Sequence, residues 1–340
     1  MEKLFIISNE SIFNYEGNFF CDNIDLKSTP EGLNNKFEVN LIGRKSKKIR
    51  SHKINLQNIK TYSNILFFIF RIFRSIREKN SRYLIVSISP FTFIACILIK
   101  LFKKKPIVYL RSDGYGEYKI IFGFFGPAIY HLMFSIVSKI SSLISCREYI
   151  LRNKIGDIVA PSQITTKWLS NHKEVNTDMI KLLYVGRVKK EKGIYSLLEI
   201  IKESKLNLSL SIVGAEKNSS KSIVQENVHI YEVENDENNL MKFYDEHNIF
   251  VLPSYTEGHP MALLEALSRL RPVIIFKDIE HFIGDKKGIF VAERNPTSFF
   301  EKINHIKENY NDIQQEMKKN KLPTKEEFLK RFSDLISRIN

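Results

Sequence analysis

The chain has 340 residues, of which 43% are hydrophobic and 26% charged, a composition that excludes disordered and fibrous proteins. Its length suits two domains of roughly 150 residues each. The three cysteines are odd in number and widely spaced, without a CxxC pair, which excludes a disulfide framework and a cysteine zinc site and favours a reducing cytoplasm.

The net charge of +14 is concentrated in the first half of the chain: residues 1–160 carry +13 and residues 161–340 carry +1. This asymmetry indicates an anionic partner for the first half, either nucleic acid or a membrane surface. Residues 64–79, NILFFIFRIFRSIREK, interleave arginines at helical spacing with aromatic and aliphatic side chains. This large apolar content suits lipid better than a phosphodiester backbone. We therefore predict that the anionic partner is a membrane surface and not a nucleic acid. A core helix with a solvated basic edge is the alternative.

Short apolar, β-branched runs alternate with longer helical patterns. In the first half the predicted strands are Lys3–Ile7, Tyr83–Ser87, Ile107–Leu110, Leu143–Ser145 and Ile158–Ala160. In the second half they are Leu182–Val185, Leu208–Val213, Val228–Tyr231, Ile249–Leu252, Val273–Phe276 and Ile289–Val291. Apolar strands separated by helices predict an α/β fold with parallel sheets covered on both faces.

Two longer apolar stretches need a separate interpretation. Residues 90–102 are too short to span a bilayer and are expected to form a buried helix. Residues 120–137 approach spanning length, but glycine, proline and histidine interrupt them, so we expect no transmembrane helix there. The short apolar run at the N-terminus lacks a cleavage signal and predicts a first strand instead of a signal peptide.

The predicted domain boundary lies near the Pro-Ser turn at residues 161–162, which gives domains 1–160 and 161–340. An amphipathic helix is predicted to follow this turn, over residues 163–170. The charged helix at residues 325–339 could pack back across either domain, including the first.

The turn after the strand Leu182–Val185 reads GRVKKEKG, from Gly186 to Gly193. Ligands of open parallel sheets bind beyond the carboxyl ends of the strands. A glycine turn leading into a helix, with fixed cations beside it, suits a phosphate group. Arg187 and Lys192 are therefore candidates for binding a diphosphate, the alternative being a solvated basic loop.

The turn after Ile249–Leu252 reads PSYTEGHP and leads into the helical pattern MALLEAL, with Pro260 predicted at the first helical position. Glu265 lies inside this mostly apolar helix, where a carboxylate needs partners, and vicinal ribose hydroxyls would supply two donors. Glu257 could face sugar hydroxyls. The backbone N–H groups of residues 261–263 would face the phosphates.

The pair Glu257 and Glu265, with seven residues between them, together with the loop 186–193, resembles the donor-site signature of the large retaining glycosyltransferase family usually numbered four. The similarity covers about residues 143–310. It implies a GT-B fold, with two facing Rossmann-like domains built on parallel sheets. The catalytic residues that it implies are Glu257, Arg187 and Lys192. The donor-binding residues that it implies are Gly186, Gly214, Gly258, Met261, Ala262, Leu263 and Glu265.

The chain departs from the family pattern in three places. Leu270-Arg271-Pro272-Val273 stands where a small residue and glycine are usual before a Pro-Val strand. In the first domain a glycine pair is reduced to Gly17, and Asp113 ends an Arg-Ser-Asp sequence where His-Asp is frequent. Gly17 and Asp113 are the acceptor-side candidates. Asp113 either touches the transferred sugar or caps the following turn.

The resemblance implies a retaining glycosyltransferase that uses a UDP- or GDP-sugar in the synthesis of a bacterial cell-surface polysaccharide or lipopolysaccharide. Arg187 and Lys192 would neutralise the departing diphosphate, so no metal or other cofactor is expected, and no DxD pair of aspartates is present. The basic first domain predicts a lipid-linked or glycan acceptor and a peripheral, cytoplasmic position on the inner face of the plasma membrane. A non-catalytic module that binds an acidic lipid or glycan in an assembly complex is the alternative.

Overall fold

The computed structural model describes residues 1–204, 206–215 and 225–339, which form two compact units. The first unit comprises residues 1–163 together with residues 325–339, and the second comprises residues 164–324. The chain leaves the first unit after Gln163, within three residues of the boundary predicted at residue 160.

The first unit is built on a nine-stranded sheet, in a part of the chain that the structure describes without a gap. Its strands are β1 (Lys3–Tyr15), β2 (Asn18–Cys21), β3 (Glu38–Ser46), β4 (His52–Ile54), β5 (Asn58–Tyr62), β6 (Ser81–Val86), β7 (Pro106–Leu110), β8 (Ser142–Ser145) and β9 (Asp157–Ile158). Its first helices are α1 (Ile24–Leu33), α2 (Ile65–Ile76), α3 (Pro90–Leu101), α4 (Gly114–Phe122) and α5 (Gly126–Ile140). The parallel strands run in the order β5-β3-β1-β6-β7-β8-β9, while β2 and β4 pair antiparallel beside β1.

The first strand is longer than predicted. It runs to Tyr15 instead of ending at Ile7, because its pairing with β3 resumes at Ser11 after a register shift and its last three residues pair with β2. The β1–β2 hairpin turns through Glu16 and Gly17, whose φ angles are 47° and 81°. A two-residue hairpin turn of this kind needs positive φ at both positions. Gly17 therefore forms the tip of a hairpin.

Residues 114–140 are long and apolar enough to cross a membrane by length and composition, but the chain folds back within them as a helical hairpin. A Cβ added to Gly126 would lie 1.9 Å from the carbonyl oxygen of Tyr118, and one added to Gly114 would lie 2.1 Å from the ring of Tyr130. α4 and α5 approach this closely because neither glycine carries a side chain. The outer surface of the hairpin exposes large apolar side chains: Ile120, Ile121, Phe122, Phe124, Phe125, Ile129, Leu132 and Ile136.

The second unit contains six parallel strands among its described residues. They are β10 (Ile180–Val185), β11 (Leu208–Val213), β12 (Val228–Tyr231), β13 (Ile249–Leu252), β14 (Val273–Phe276) and β15 (Ile289–Ala292). The helices are α6 (Ile194–Lys202), α7 (Glu237–Glu246), α8 (Met261–Ser268), α9 (Pro296–Glu308) and α10 (Tyr310–Met317). The strand order is β12-β11-β10-β13-β14-β15, and separate apolar clusters cover the two faces of the sheet.

The prediction of an amphipathic helix over residues 163–170 was wrong. Only a short 3-10 turn, Thr166–Leu169, forms there. The Glu237 carboxylate on α7 accepts hydrogen bonds from the Thr165 hydroxyl at 2.6 Å and from the Trp168 indole at 2.9 Å. The Trp168 ring is buried in the core of the second unit. These tertiary contacts outweigh the helical pattern of the segment.

Two buried arginines account for the unusual sequence before β14. Arg269 donates to both carboxylate oxygens of Asp245, at 2.8 and 2.9 Å, and Arg271 donates to the backbone oxygen of Tyr244 at 2.7 Å. Arg271 is only 1% exposed, and burial lowers the pKa of its guanidinium. The cluster fixes the end of α7 at the amino-terminal edge of the sheet, so this departure from the family pattern belongs to the core.

The last helix, α11 (Lys325–Arg338), packs on the first unit. The ring of Phe332 lies 4.6 Å from that of Tyr109 on β7. The Lys36 ammonium pairs with the carboxylate of Asp334 at 2.8 Å. These contacts join the last helix to residues far earlier in the chain and make α11 part of the core of the first unit.

Candidate functional site

The strand order of the second sheet reverses between β10 and β13. The chain adds β11 and β12 on one side of β10, and then adds β13, β14 and β15 on the other side. Ligands of open α/β sheets bind at such a switch point, beyond the carboxyl ends of the strands. Since the loop 186–193 follows β10 and the loop 253–260 follows β13, the two motifs singled out in the sequence lie side by side.

Gly186 and Gly214 directly follow the adjacent strands β10 and β11, and their backbones are in contact. The Gly186 amide donates to the carbonyl oxygen of Val213 at 2.9 Å, and a Cβ on Gly214 would lie 2.7 Å from the carbonyl oxygen of Gly186. The Tyr184 hydroxyl donates to the carbonyl oxygen of Arg187 at 2.9 Å, which fixes the start of the loop. The side chain of Arg187 is exposed at this edge of the sheet.

The loops after β10 and β13 also touch through their backbones. Gly193 has a φ of 66°, and a Cβ there would lie 1.9 Å from the carbonyl oxygen of Pro253. The Tyr255 amide donates to the carbonyl oxygen of Glu191 at 3.0 Å. Because α6 starts directly after Gly193, its amino end opens at the switch point, where backbone N–H groups favour an anion.

Lys192 and Glu257 form an ion pair between the two loops. The Lys192 Nζ lies 2.7 Å from Oε1 of Glu257, and the Ser254 hydroxyl donates to the same oxygen at 2.6 Å. Their side chains are only 21% and 9% exposed. A charge pair so sheltered from water interacts more strongly than one at an open surface. The structure therefore brings together two of the three predicted catalytic residues, and Arg187 lies on the same loop as Lys192.

Arg294, two residues after β15, supports both loops and was not predicted from the sequence. Its guanidinium donates to the carbonyl oxygen of Pro253 at 2.9 Å and to the hydroxyl of Ser196 at 2.8 Å. It also pairs with Asp278 at 2.6 Å and lies 4.0 Å from the ring centroid of Tyr255. The signal that could have revealed it is a cation just beyond the last predicted strand, at the same edge of the parallel sheet as the two motifs.

Glu265 lies on α8. This helix begins at Met261, one residue later than predicted, because Pro260 has extended backbone angles and is the N-cap. The Tyr244 hydroxyl donates to Oε2 of Glu265 at 2.7 Å. Burial, reinforced by the charge of Glu265, raises the pKa of Tyr244 well above its ordinary value. The phenol therefore stays protonated and donates to a half-buried carboxylate.

The remaining predicted donor-binding residues precede Glu265 at the same end of the sheet. They lie in the loop after β13 and in the first turn of α8, and they are Gly258, Met261, Ala262 and Leu263. The first N–H groups of a helix have no acceptor within the helix. This turn therefore directs donors toward the edge that holds Lys192 and Glu257.

The two acceptor-side candidates lie in the first unit. Gly17 is exposed at the tip of the β1–β2 hairpin. Asp113 caps α4, since its Oδ1 accepts from the Tyr115 amide at 3.2 Å, and it lies 3.5 Å from Nη2 of Arg152. The capping role left open by the sequence is therefore present, and contact with the sugar stays a prediction.

Across residues 1–204, 206–215 and 225–339, no group of three or more His, Cys, Asp or Glu side chains is arranged to hold a metal ion. The edge of the sheet at the switch point carries the cations of Arg187, Lys192 and Arg294. Fixed cations aimed at a leaving group stabilise the charge that develops on it.

Residues 167–322 match the family model of glycosyl transferases group 1. In Staphylococcus aureus, the capsular polysaccharide biosynthesis glycosyltransferase CapM is 27% identical over 148 residues, 40% of this chain and 38% of CapM. In Bacillus subtilis, the putative teichuronic acid biosynthesis glycosyltransferase TuaC is 35% identical over 92 residues, 27% of this chain and 23% of TuaC. The matches thus span less than half the length of these relatives.

Solved structures resemble nearly the whole chain. Sucrose-phosphate synthase from Thermosynechococcus elongatus superposes with a TM-score of 0.74 at 15% identity, over 99% of each chain. HepE from Anabaena, in complex with UDP-glucose, superposes with a TM-score of 0.72 at 9% identity, also over 99% of each chain. WaaG, a glycosyltransferase involved in lipopolysaccharide biosynthesis, gives 0.65 at 14% identity, over 98% and 99% of the two chains. The GT-B fold predicted from the sequence is confirmed.

Proposed function

We propose that this chain is a retaining glycosyltransferase, of the family usually numbered four, which moves a sugar from a nucleotide diphosphate onto an acceptor. The observation that carries the proposal is the Lys192–Glu257 pair at the switch point of the second sheet. This pair lies inside the part of the chain that matches glycosyl transferases group 1. Glu265 follows Glu257 at the spacing that marks the donor site of that family.

In this proposal each of these side chains has a step in the reaction. Negative charge develops on the diphosphate as its bond to the anomeric carbon breaks, beside the cations of Arg187 and Lys192. Glu257, already held by Lys192 and Ser254, is oriented to accept hydrogen bonds from the hydroxyls of the transferred sugar. The acceptor hydroxyl forms its new bond on the face that the diphosphate leaves and gives its proton to the departing diphosphate oxygen, which retains the anomeric configuration. In this proposal two protein cations do the work of a metal ion.

The donor in this proposal is a UDP- or GDP-sugar. HepE, which shares the fold, binds UDP-glucose, and this favours UDP. The carboxylate of Glu265 accepts from the two ribose hydroxyls, which every common nucleotide offers, so it does not select the base. The base must be found by experiment.

A thermal-shift series with UDP, GDP, ADP and CMP tests the donor site. A ligand that binds only the folded state stabilises the protein by about 2.7 kcal/mol at a hundred times its Kd, so we expect one nucleoside diphosphate to raise Tm in a concentration-dependent way. CMP, a monophosphate, gives the baseline for a nucleotide without a diphosphate. No rise with any diphosphate would contradict the donor site and favour a non-catalytic module that binds an acidic lipid or glycan.

We propose that the acceptor is a lipid-linked or glycan molecule at an anionic membrane surface, on the cytoplasmic face. The support is a continuous patch on the first unit, where α2 meets the end of α3 and the rings of Phe73 and Phe102 lie 5.5 Å apart. We call it the apolar patch, and its exposed side chains are Leu66, Phe67, Phe70, Phe73, Leu101 and Phe102. Cations border it, namely Arg71, Arg74, Arg77, Lys100, Lys103, Lys104 and Lys105.

A vesicle-binding experiment tests this surface. We expect the protein to sediment with phosphatidylcholine vesicles that contain phosphatidylglycerol and to dissociate as salt rises, because each cation near such a surface contributes about 1 kcal/mol within a Debye length. Phosphatidylcholine vesicles without the anionic lipid are the control. Equal binding to both vesicle types, or none to either, would contradict the proposal.

A further inference from the structure

A cleft lies between α2 and the strands beneath it, beside the apolar patch. Its volume is about 80 Å³, which is room for several water molecules. The charged side chains that line it are Lys3, Lys60, Arg71, Arg74 and Glu78. Four cations thus surround one carboxylate in a single depression.

Most of this positive charge is not neutralised by the protein. The Lys3 ammonium pairs with Glu78 at 2.9 Å. The hydrogen bond with Lys3, and the charges of Lys60 and Arg74, lower the pKa of Glu78. In the ranges that the structure describes, the side chains of Lys60, Arg71 and Arg74 have no ion-pair partner within 4.0 Å. The cleft therefore keeps a surplus of positive charge.

The cleft lies beside exposed aromatic rings of α2, so a ligand bound in it can also contact those rings. Arg74 lies one turn after Phe70 and two turns after Phe67, and both of those rings are 58% exposed. Arg71 lies one turn before Ser75, which is buried and also lines the cleft. Arg71 therefore lies between the exposed apolar side of the helix and its buried side, and Arg74 lies in line with the exposed rings. Interfacial helices carry cations at this position, level with lipid headgroups.

We propose that this cleft binds the phosphate of an anionic phospholipid headgroup, whose acyl chains lie over the apolar patch. Arginine presents several N–H donors to phosphate oxygens, and lysine adds a compact charge. A soluble phosphate ester would engage the cations alone and leave the aromatic rings exposed, whereas a phospholipid accounts for both features. The proposal rests on the membrane association proposed above and adds a specific binding site to it.

The test compares two arginines of the same helix in binding to phosphatidylglycerol vesicles. Arg74→Gln removes a cleft cation, and Arg77→Gln removes an exposed cation that does not line the cleft. If the cleft holds a phosphate, Arg74→Gln lowers vesicle affinity by about tenfold or more, because a charged hydrogen bond is lost. Arg77→Gln lowers it by about fivefold or less, the effect of one surface charge. Equal losses would overturn the headgroup site while leaving membrane association in place.

A soluble competitor separates the lipid from a free phosphate ester. We expect glycerol 3-phosphate to displace wild-type protein from the vesicles more than sodium chloride does at equal ionic strength, and this difference should vanish in Arg74→Gln. Phe70→Gln should weaken vesicle binding without changing the affinity for glycerol 3-phosphate. If Phe70→Gln leaves vesicle binding unchanged, or if the competitor has no specific effect, the assignment to a phospholipid is wrong. The nucleotide-induced rise in Tm should persist in all three variants, so failure of this site and failure of the donor site remain distinguishable.

Discussion

Lys192→Ala is expected to lower the rate of sugar transfer by about 10²–10³-fold, the usual effect of removing one preorganised group that stabilises charge in the transition state. The reason lies in the position of the ammonium, 2.7 Å from Glu257 at the switch point and only partly exposed to solvent. Water cannot replace it efficiently in so sheltered a place. The measurement is the initial rate with a saturating donor, once thermal shift has identified the nucleotide.

Lys190→Ala is the matched control, because Lys190 lies in the same turn with its side chain exposed. It removes the same charge from the same loop and should keep the rate within about twofold, as expected of a solvated surface charge. If both variants lose activity equally, the effect is one of net charge, and Lys192 has no special role. An unchanged melting temperature in both variants would show that the loop still folds.

The Lys192–Glu257 contact allows a further distinction. Lys192 could act on the diphosphate or only hold Glu257 in place. In a double-mutant cycle, Lys192→Ala made in a Glu257→Gln background should still lower the rate if Lys192 acts on the leaving group. No further loss in that background would assign Lys192 a positioning role.

Glu265→Ala is expected to weaken nucleoside diphosphate binding by ~3 kcal/mol, or roughly 100-fold in Kd, since two hydrogen bonds from ribose to a charged acceptor are lost. Isothermal titration with the nucleotide found by thermal shift measures this directly. Because Glu265 is half-buried and the Tyr244 hydroxyl donates to it, the variant should also lose some stability, which its melting temperature without ligand will show.

Tyr244→Phe provides the graded comparison. It keeps the buried ring and removes only the hydroxyl that donates to Glu265 at 2.7 Å. We expect a loss of affinity smaller than that of Glu265→Ala, because the carboxylate remains but is less firmly oriented. If Glu265→Ala binds the nucleotide with normal affinity, Glu265 does not bind the ribose, and the affinity of Tyr244→Phe cannot change that conclusion.

The sequence sufficed to predict which segments meet at one edge of the second sheet, where we propose the donor site. Lys192, Glu257 and Glu265 each follow an apolar strand or lie in the helix after one, and in a parallel sheet the carboxyl ends of all strands lie at one edge. This rule depends only on local patterns and chain direction, so it needs no knowledge of strand order. Prediction from a local pattern fails where tertiary contacts outweigh that pattern. Thr165 and Trp168 donate hydrogen bonds to Glu237, and their segment forms a short 3-10 turn in place of the predicted helix.

The amino-acid sequence by itself therefore determined the α/β architecture and the GT-B resemblance, and it supplied the candidate residues of the proposed donor site. Only the tertiary structure decided that Lys192 and Glu257 pair, that Arg294 supports both of their loops, and that Tyr244 holds Glu265. It also decided that cations from β1, β5 and α2 surround one cleft. These contacts join residues distant in the chain, and they depend on which strands are neighbours in the sheet, which no local periodicity encodes.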